Sequence, residues 1–511
     1  MKHVSRRDFV AAMAAMGVSS AALAEGFRGR RRGETGAAFA HGVASGDPRQ
    51  DRVILWTRVT PVQPDDVVLG TWEIATDPAF RRRVDDGRFA TDVTRDFTVK
   101  IDAKGLEPGC TYYYRFASGG VRSPVGRTRT LPRGRVDRLR IAFASCSNYP
   151  YGYFNAYARI AARADLDLVL HLGDYLYEYP LGVYASPDPA VLAARPVVPT
   201  NEIVTLLDYR LRHAQYKSDP DLQEAHRQHP FVTVWDDHES TNDSWRDGAE
   251  NHQPEEGDWQ VRKRQAIRAY NEWMPIREKG RNDDRIYRRF RVGDLADLVM
   301  LDTRLHGRDL QAAFKGGVPL LPVNDPTIAD PSRTLLGFDQ EAWLDEQLIG
   351  SHQRGATWRL LGQQVMMAQL SITGGTTTLN PDQWDGYGPA RERLFRTLTD
   401  NSIDNVVVLA GDIHSSWCND IARNPWSAVE FVTPAVTSPP PPPQPGQTPQ
   451  QAAAGLRAVS PHMKYVDLEK RGYVVLDIDR HRVQGEVWHV PTVNARQGGE
   501  TLSAVLVNEA G

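Results

Sequence analysis

The chain is 511 residues long, 41% apolar and 24% charged, with a formal net charge of −3. Its length accommodates one large catalytic domain and a smaller module, and its composition is that of an ordinary globular protein. The mildly acidic balance argues against specific nucleic-acid binding, because it repels a phosphate backbone, and no apolar run has the length of a transmembrane anchor.

Residues 1–24 read as an address rather than as part of the fold. Ser5, Arg6, Arg7, Asp8, Phe9 and Val10 match the twin-arginine export pattern, and the apolar stretch that follows closes on Ala22-Leu23-Ala24, a small-x-small cleavage site. An N-terminal amphipathic helix is the alternative, but the Ala/Met/Ser run has no polar face. The expected partner is the twin-arginine export machinery, and the expected location is periplasmic or secreted. Substrates of that route fold before export, so a metal can be loaded in the cytoplasm. Cys110, Cys146 and Cys418 are an odd number, which does not make a disulfide framework. Residues 25–37, with Arg28, Arg30, Arg31 and Arg32, read as a flexible leader.

Residues 38–132 carry short alternating strands, among them 52–59, 68–75, 97–101 and 111–116, separated by Gly/Pro/Asp turns. Leu106-Glu107-Pro108-Gly109 followed by Tyr112 and Tyr114 has the form of a tyrosine corner, in which a phenol ties down a strand crossover. This module resembles a small fibronectin type III-like β-sandwich, with a structural role.

From residue 138 to 490 the pattern changes to buried strands alternating with helices, which is an α/β fold. Strands are expected at 139–144, 166–172, 231–235, 298–302, 358–361, 406–410, 429–432, 473–478 and 483–490, as continuous apolar runs covered on both faces. Helices are expected at 152–164 and 258–273, the second capped by Asp258 and striped by Ala266, Ile267 and Tyr270. Arg262-Lys263-Arg264 read as a solvated face of that helix, and residues 439–446 as a stiff polyproline-like surface loop. Residues 491–511 are read as a C-terminal tail.

Four of the expected strands end in metal-ligand types. They lead into Ser145-Cys146-Ser147-Asn148, Gly173-Asp174-Tyr175-Leu176-Tyr177, Asp236-Asp237-His238-Glu239 and Gly411-Asp412-Ile413-His414. In α/β sheets the site lies outside the carboxyl ends of the strands, so these ends should converge. One such end is readily a helix cap; four together are not.

These motifs carry a resemblance. Calcineurin-like metallophosphoesterases present D-x-H, G-D-x-x-D, G-N-H and G-H-x-H in that order, and this chain shows C-x-N, G-D-x-x-Y, D-D-H and G-D-x-H. The G-D-x-x-Y form resembles purple acid phosphatases, where the tyrosine binds ferric iron. The full set resembles the PhoD alkaline phosphatases, as do residues 41–48, 235–242 and 461–465, so that the likeness spans about 38–490. It implies a metallophosphoesterase-type αββα sandwich and a cluster of one ferric iron with calcium ions nearby. A phenol and a thiol need a strong Lewis acid to ionise at neutral pH, so Cys146 and Tyr177 point to Fe(3+). Asp174 can bridge metals, while Asp237, Asn242 and Asp412 offer the hard oxygens that Ca(2+) prefers. His414 completes the expected ligands, and Asp243 is a further candidate beside Asn242. Asn148 departs from the wider family's histidine.

Bland alternatives stand beside these roles. Cys146 alone reads as an inert thiol, as Cys418 does, and a Cys146–Cys418 disulfide is the minor alternative. His171, inside a strand, reads as a satisfied core histidine. The resemblance implies that His238 contacts the scissile phosphate without being a ligand. Arg304, at another strand end, suits either a bidentate phosphate grip or an ion pair. The expected function is hydrolysis of small-molecule phosphate esters by a metal-bound hydroxide, releasing inorganic phosphate. A phosphodiesterase or phospholipase D-like activity on the same site, or a non-catalytic binding protein on a decayed phosphatase scaffold, are the alternatives.

Overall fold

The apolar runs become the centres of two stacked sheets. A computed structural model describes residues 39–61, 67–278, 284–313, 320–423 and 426–511; residues 1–37, read above as an export signal and a leader, lie outside the described residues. The first sheet has nine strands, in the order Thr501–Glu509, Arg482–His489, Gly472–Asp479, Arg138–Ala144, Leu168–His171, Pro230–Thr233, Val43–Gly46, Arg52–Arg58 and Thr98–Lys104. The second has seven: Arg288–Val292, Ala296–Met300, Trp358–Gly362, Val406–Ala410, Trp426–Val432, Ser416–Arg423 and Met463–Asp467. Each has a parallel centre, where Leu170 faces Phe143 and Val232 in register and Leu361 faces Val408. Parallel strands are buried on both faces, and that is why these segments read as unbroken apolar runs.

Phe143, Leu170, Leu360, Leu409 and Phe431 form one core, which links the two sheets. Tyr157 and Ile160 of the helix Asn155–Ala162, with Leu222 and Ala225 of Pro220–Gln228, join that core. Behind the second sheet, Leu361 and Val408 pack with Leu344 and Leu348 of Phe338–Gln353 and with Leu394 and Leu398 of Gly388–Asp400. The result is the expected αββα sandwich. Asp258 caps Trp259–Trp273 by accepting from the Val261 N–H, as its sequence position predicts.

The N-terminal β-sandwich is present, and one of its sheets belongs to the catalytic core. Val43–Gly46 runs parallel to Pro230–Thr233, so the strands 43–58 and 98–104 extend the nine-stranded sheet. Across them lies a five-stranded sheet containing Val68–Ala75 and Thr111–Ser118, with Val53 and Leu55 packed in one cluster with Trp72, Tyr114 and Phe116. The tyrosine corner forms: the Tyr112 hydroxyl accepts from the Glu107 N–H at 2.8 Å.

Two readings are corrected. Arg262 and Lys263 are buried, not solvated, because their helix packs beneath residues 202–256; Arg262 pairs with Glu202 and Glu256 and donates to Tyr209, and Lys263 donates to the Leu305 carbonyl. Residues 501–509, read as tail, are the edge strand of the first sheet, where Leu502, Val505 and Val507 remain exposed.

Candidate metal centre

Cys146 follows Arg138–Ala144, Asp174 and Tyr177 follow Leu168–His171, and Asp236–His238 follow Pro230–Thr233. These three strands are neighbours in the first sheet, while Asp412 and His414 come from Val406–Ala410 in the second. The sheets meet here, since Ser145 bridges to Ala435 and a Cβ on Gly411 would lie 2.4 Å from the Ser145 Oγ. Four donor-bearing residues hold left-handed backbone conformations: Cys146 (φ 61°), Asp174 (54°), Asp412 (66°) and His414 (54°). Such strain gathers where a side chain must be aimed against local preference.

The donors form three overlapping groups, each with its ligand atoms within 4.8 Å of one another: Cys146, Asp174 and His414; Asp174, Asp237 and His238; and Asp236, Asp237 and Asp412. Tyr177 joins the first through its hydroxyl, which donates to Asp174 Oδ2 at 2.9 Å and lies 3.2 Å from His414 Nε2. The Pro439 carbonyl lies 2.9 Å from His414 Nδ1, so a proton there leaves Nε2 free as a donor atom. Ser438 donates to the Tyr177 hydroxyl at 2.7 Å, so the entry to the polyproline loop is a wall of the centre.

Electrostatics follow from burial. The Cys146 thiol is pushed well above its usual pKa by burial, then by Asp174, and the Tyr177 phenol moves in the same direction for the same reasons. Burial would raise Asp237, but Arg304 and then His238 outweigh it and hold the carboxyl at about 2. Asp412 is pushed up to about 6 by burial, with Arg304 opposing. Burial would lower His238; Glu178, whose carboxylate lies 2.7 Å from Nδ1, and then Asp237 carry it well above the usual imidazole value.

Three buried carboxylate oxygens of the centre, Asp174 Oδ1, Asp236 Oδ2 and Asp237 Oδ1, have no hydrogen-bond partner. Desolvated anions of this kind need compensation, and a donor set of thiol, phenol, imidazole and carboxylates fits cations. The residues present therefore suit a metal centre.

Two expected site residues have protein partners of their own. Asn242 donates its amide to Glu250 at 2.6 Å, and the backbone N–H of its neighbour Asp243 donates to Asp237 Oδ2 at 2.6 Å. Arg304 does not present a phosphate grip. It is fully buried, with Nε on Asp236 at 2.5 Å, Nη1 on Asp382 at 2.8 Å and Nη2 on Asp412 at 2.7 Å, the ion-pair alternative. His171 is the satisfied core histidine expected, 2.8 Å from the Tyr157 hydroxyl. Cys146 and Cys418 are free thiols.

The sequence reading missed four supporting residues. Glu178 orients His238, and Glu239 accepts from the Asp174 and Tyr175 N–H groups. Asp382 ties Arg304 to Arg308, and Gln383 donates to Asp412 Oδ2 at 2.5 Å. Only Glu178 and Glu239 carried a signal, each lying one residue beyond a motif.

Known proteins match this arrangement. The family model described as PhoD-like phosphatase matches residues 141–487, and the PhoD-like phosphatase N-terminal domain matches residues 24–132. The fold is thus that of a phosphoesterase. Alkaline phosphatase D of Bacillus subtilis (strain 168) is 38% identical over 473 residues, spanning 89% of this chain and 78% of that protein. A solved structure described as "Structure of PhoD" superposes with a TM-score of 0.83 at 35% identity, covering 94% of this chain and 92% of the other. The chain belongs to the PhoD-like phosphatase family, whose reaction is phosphoric ester hydrolysis.

Proposed function

We propose that the protein is an exported, metal-dependent alkaline phosphatase that releases inorganic phosphate from extracytoplasmic esters. The observation that carries this reading is Asp174, which belongs to two of the three donor groups and keeps one buried oxygen without a partner. Cys146, Tyr177, Asp174 and His414 would hold Fe(3+), since thiol and phenol are both driven toward their neutral forms by burial and ionise only beside a strong Lewis acid. The oxygens of Asp174, Asp237 and Asp412 would hold Ca(2+), with Asn242 as a further oxygen donor. When bound, these ions lower the pKa of a coordinated water and offset charge on the phosphoryl oxygens.

The chain's own residues do the rest. Glu178 fixes the ring of His238 and favours its protonated form, so that His238 can donate a proton to the departing alcohol oxygen. Arg304 and Gln383 hold both oxygens of Asp412, and Glu239 holds the turn that bears Asp174. Arg304 is in this sense a positioning residue. Among the described residues no helix is long and apolar enough to cross a membrane; export by the twin-arginine route rests on residues 5–24.

Elemental analysis of purified protein beside hydrolysis of an aryl monoester and an aryl diester tests the reading. Iron and calcium should co-purify, and calcium-selective chelation should stop monoester hydrolysis while a visible charge-transfer band persists. That band should bleach or shift in Tyr177→Phe and in Cys146→Ala. Monoester turnover that survives chelation removes calcium from the proposal, and an unaltered band in both variants removes these residues from the iron shell.

A further inference from the structure

A cavity of about 550 Å3 lies beside the centre, lined among others by Tyr151, Ser186, Lys470, Arg471, Asn494 and Ser503. A chain of hydrogen bonds links it to the metal groups. Arg471 Nε donates to the Ser438 carbonyl at 3.2 Å, and the hydroxyl of that same Ser438 donates to Tyr177. Arg471 also lies over the Tyr151 ring, 5.9 Å from its centroid. Two hydrogen bonds therefore separate the cavity's guanidinium from the phenol of the centre.

The two arginines here differ in how their charge is used. Every nitrogen of Arg304 rests on a carboxylate. Arg471 spends Nε and Nη1 on the Ser438 and Glu469 carbonyls, and Nη2 has no hydrogen-bond partner among the described residues. Of the two carboxylates nearest in sequence, that of Glu469, which also lines the cavity, accepts from Gln450 at 2.6 Å, and that of Asp467 is taken by Lys470 at 3.5 Å and by the Glu469 and Lys470 N–H groups, so that neither forms an ion pair with Arg471. A half-buried guanidinium without a carboxylate, on the wall of a polar cavity, is matched to an anionic ligand.

We propose that this cavity receives the alcohol side of the ester and that Arg471 selects alcohols carrying a second anionic group. The inference rests on the hydrolytic reading of the adjacent centre. The scissile phosphate lies at the metal groups, and the departing alcohol extends past Ser438 and Tyr184 toward Arg471, with Lys470 at the outer edge.

The test compares alkanediol bisphosphates of three to six carbons with the corresponding monophosphates. A bisphosphate offers two scissile ends, so kcat/KM should exceed that of the monophosphate by the statistical factor of about two and by a further factor of about ten at the best length, the usual worth of a charge-assisted contact. In Arg471→Met that excess should collapse to the statistical factor, whatever happens to the rate common to both substrates. Arg471→Lys should keep part of it. A wild-type ratio near two at every length, or an excess that persists in Arg471→Met, overturns the inference. Calorimetric titration with non-hydrolysable alkane bisphosphonates and monophosphonates gives the same comparison without turnover. Preference for the bisphosphonate in a protein that hydrolyses neither ester would leave the cavity assignment standing and sink the hydrolytic reading instead.

Discussion

Asp174 is the residue on which most of the centre turns, and its environment separates ligands from acid–base groups. It is shared by two donor groups, its Oδ2 accepts from Tyr177, and its Oδ1 is buried without a partner. Asp174→Asn should therefore empty the site, losing metal and activity together. His238→Ala should keep its metal and lose rate by about 10²–10⁴-fold, the usual scale of general acid–base help. Metal content beside kcat distinguishes them; a metal-free His238→Ala would make His238 a ligand. The convergence of Cys146, Asp174, Tyr177, Asp237, Asp412 and His414 was legible in the sequence because ligand types at strand ends are a local pattern. Asp382 and Gln383 were not, because their roles come from a loop folding back over Asp412. The amide contact of Asn242 was not legible for a related reason: its partner is Glu250, eight residues away.

Elements position these side chains through two devices, tight turns and helix ends. The turn before Asp174 needs Gly173, which has φ 110° and leaves only 2.4 Å between an added Cβ and the Asp236 Cβ. Gly173→Ala should cost about 1–3 kcal/mol in urea unfolding and reduce bound metal, because Asp174 and Asp236 are forced apart. The helix Leu206–Tyr216 ends at Lys217, which is buried on Trp56 and Tyr175 with His226 as its hydrogen-bond partner. Burial, then Lys100, drives the Lys217 pKa well below its usual value. The unfolded chain keeps this amine protonated up to about pH 10.4. Between the lowered pKa and that point the folded state has given up a proton that the unfolded state retains, so Lys217 costs stability there, less as pH rises. Lys217→Met should be more stable than the parent at pH 7, by about 1–3 kcal/mol, with the gain shrinking toward pH 10. A loss of stability, or a gain indifferent to pH, would contradict this. Strand positions were legible throughout the parallel centres, where both faces are apolar. Thr501–Glu509 was not, since an edge strand with exposed valines and a short polar approach lacks that signature. The buried Arg262 shows the converse, because a charged helix position gives no sign in the sequence that carboxylates will surround it.

For the whole molecule, the export reading makes a separate prediction. Arg6→Lys with Arg7→Lys should leave the protein inside the cell with its leader uncut, seen by fractionation and mass; normal secretion would exclude the twin-arginine route. The architecture was legible as two regions, and their junction was not, because strand pairing between residues 43–46 and 230–233 is a long-range contact that no local pattern encodes. The same kind of pairing governs how the chain is completed. The strand that leads to Cys146, Arg138–Ala144, lies between Leu168–His171 and Gly472–Asp479. A ribosome delivers the first neighbour at once and the second only near the end of synthesis. The thiol side of the centre therefore waits on the last part of the polypeptide, and an interrupted chain that lacks residues 472–479 has no finished sheet on which to assemble a metal cluster. On the proposed reading, cofactor capture would thus serve as a proof of completion, separating full-length molecules from fragments before export.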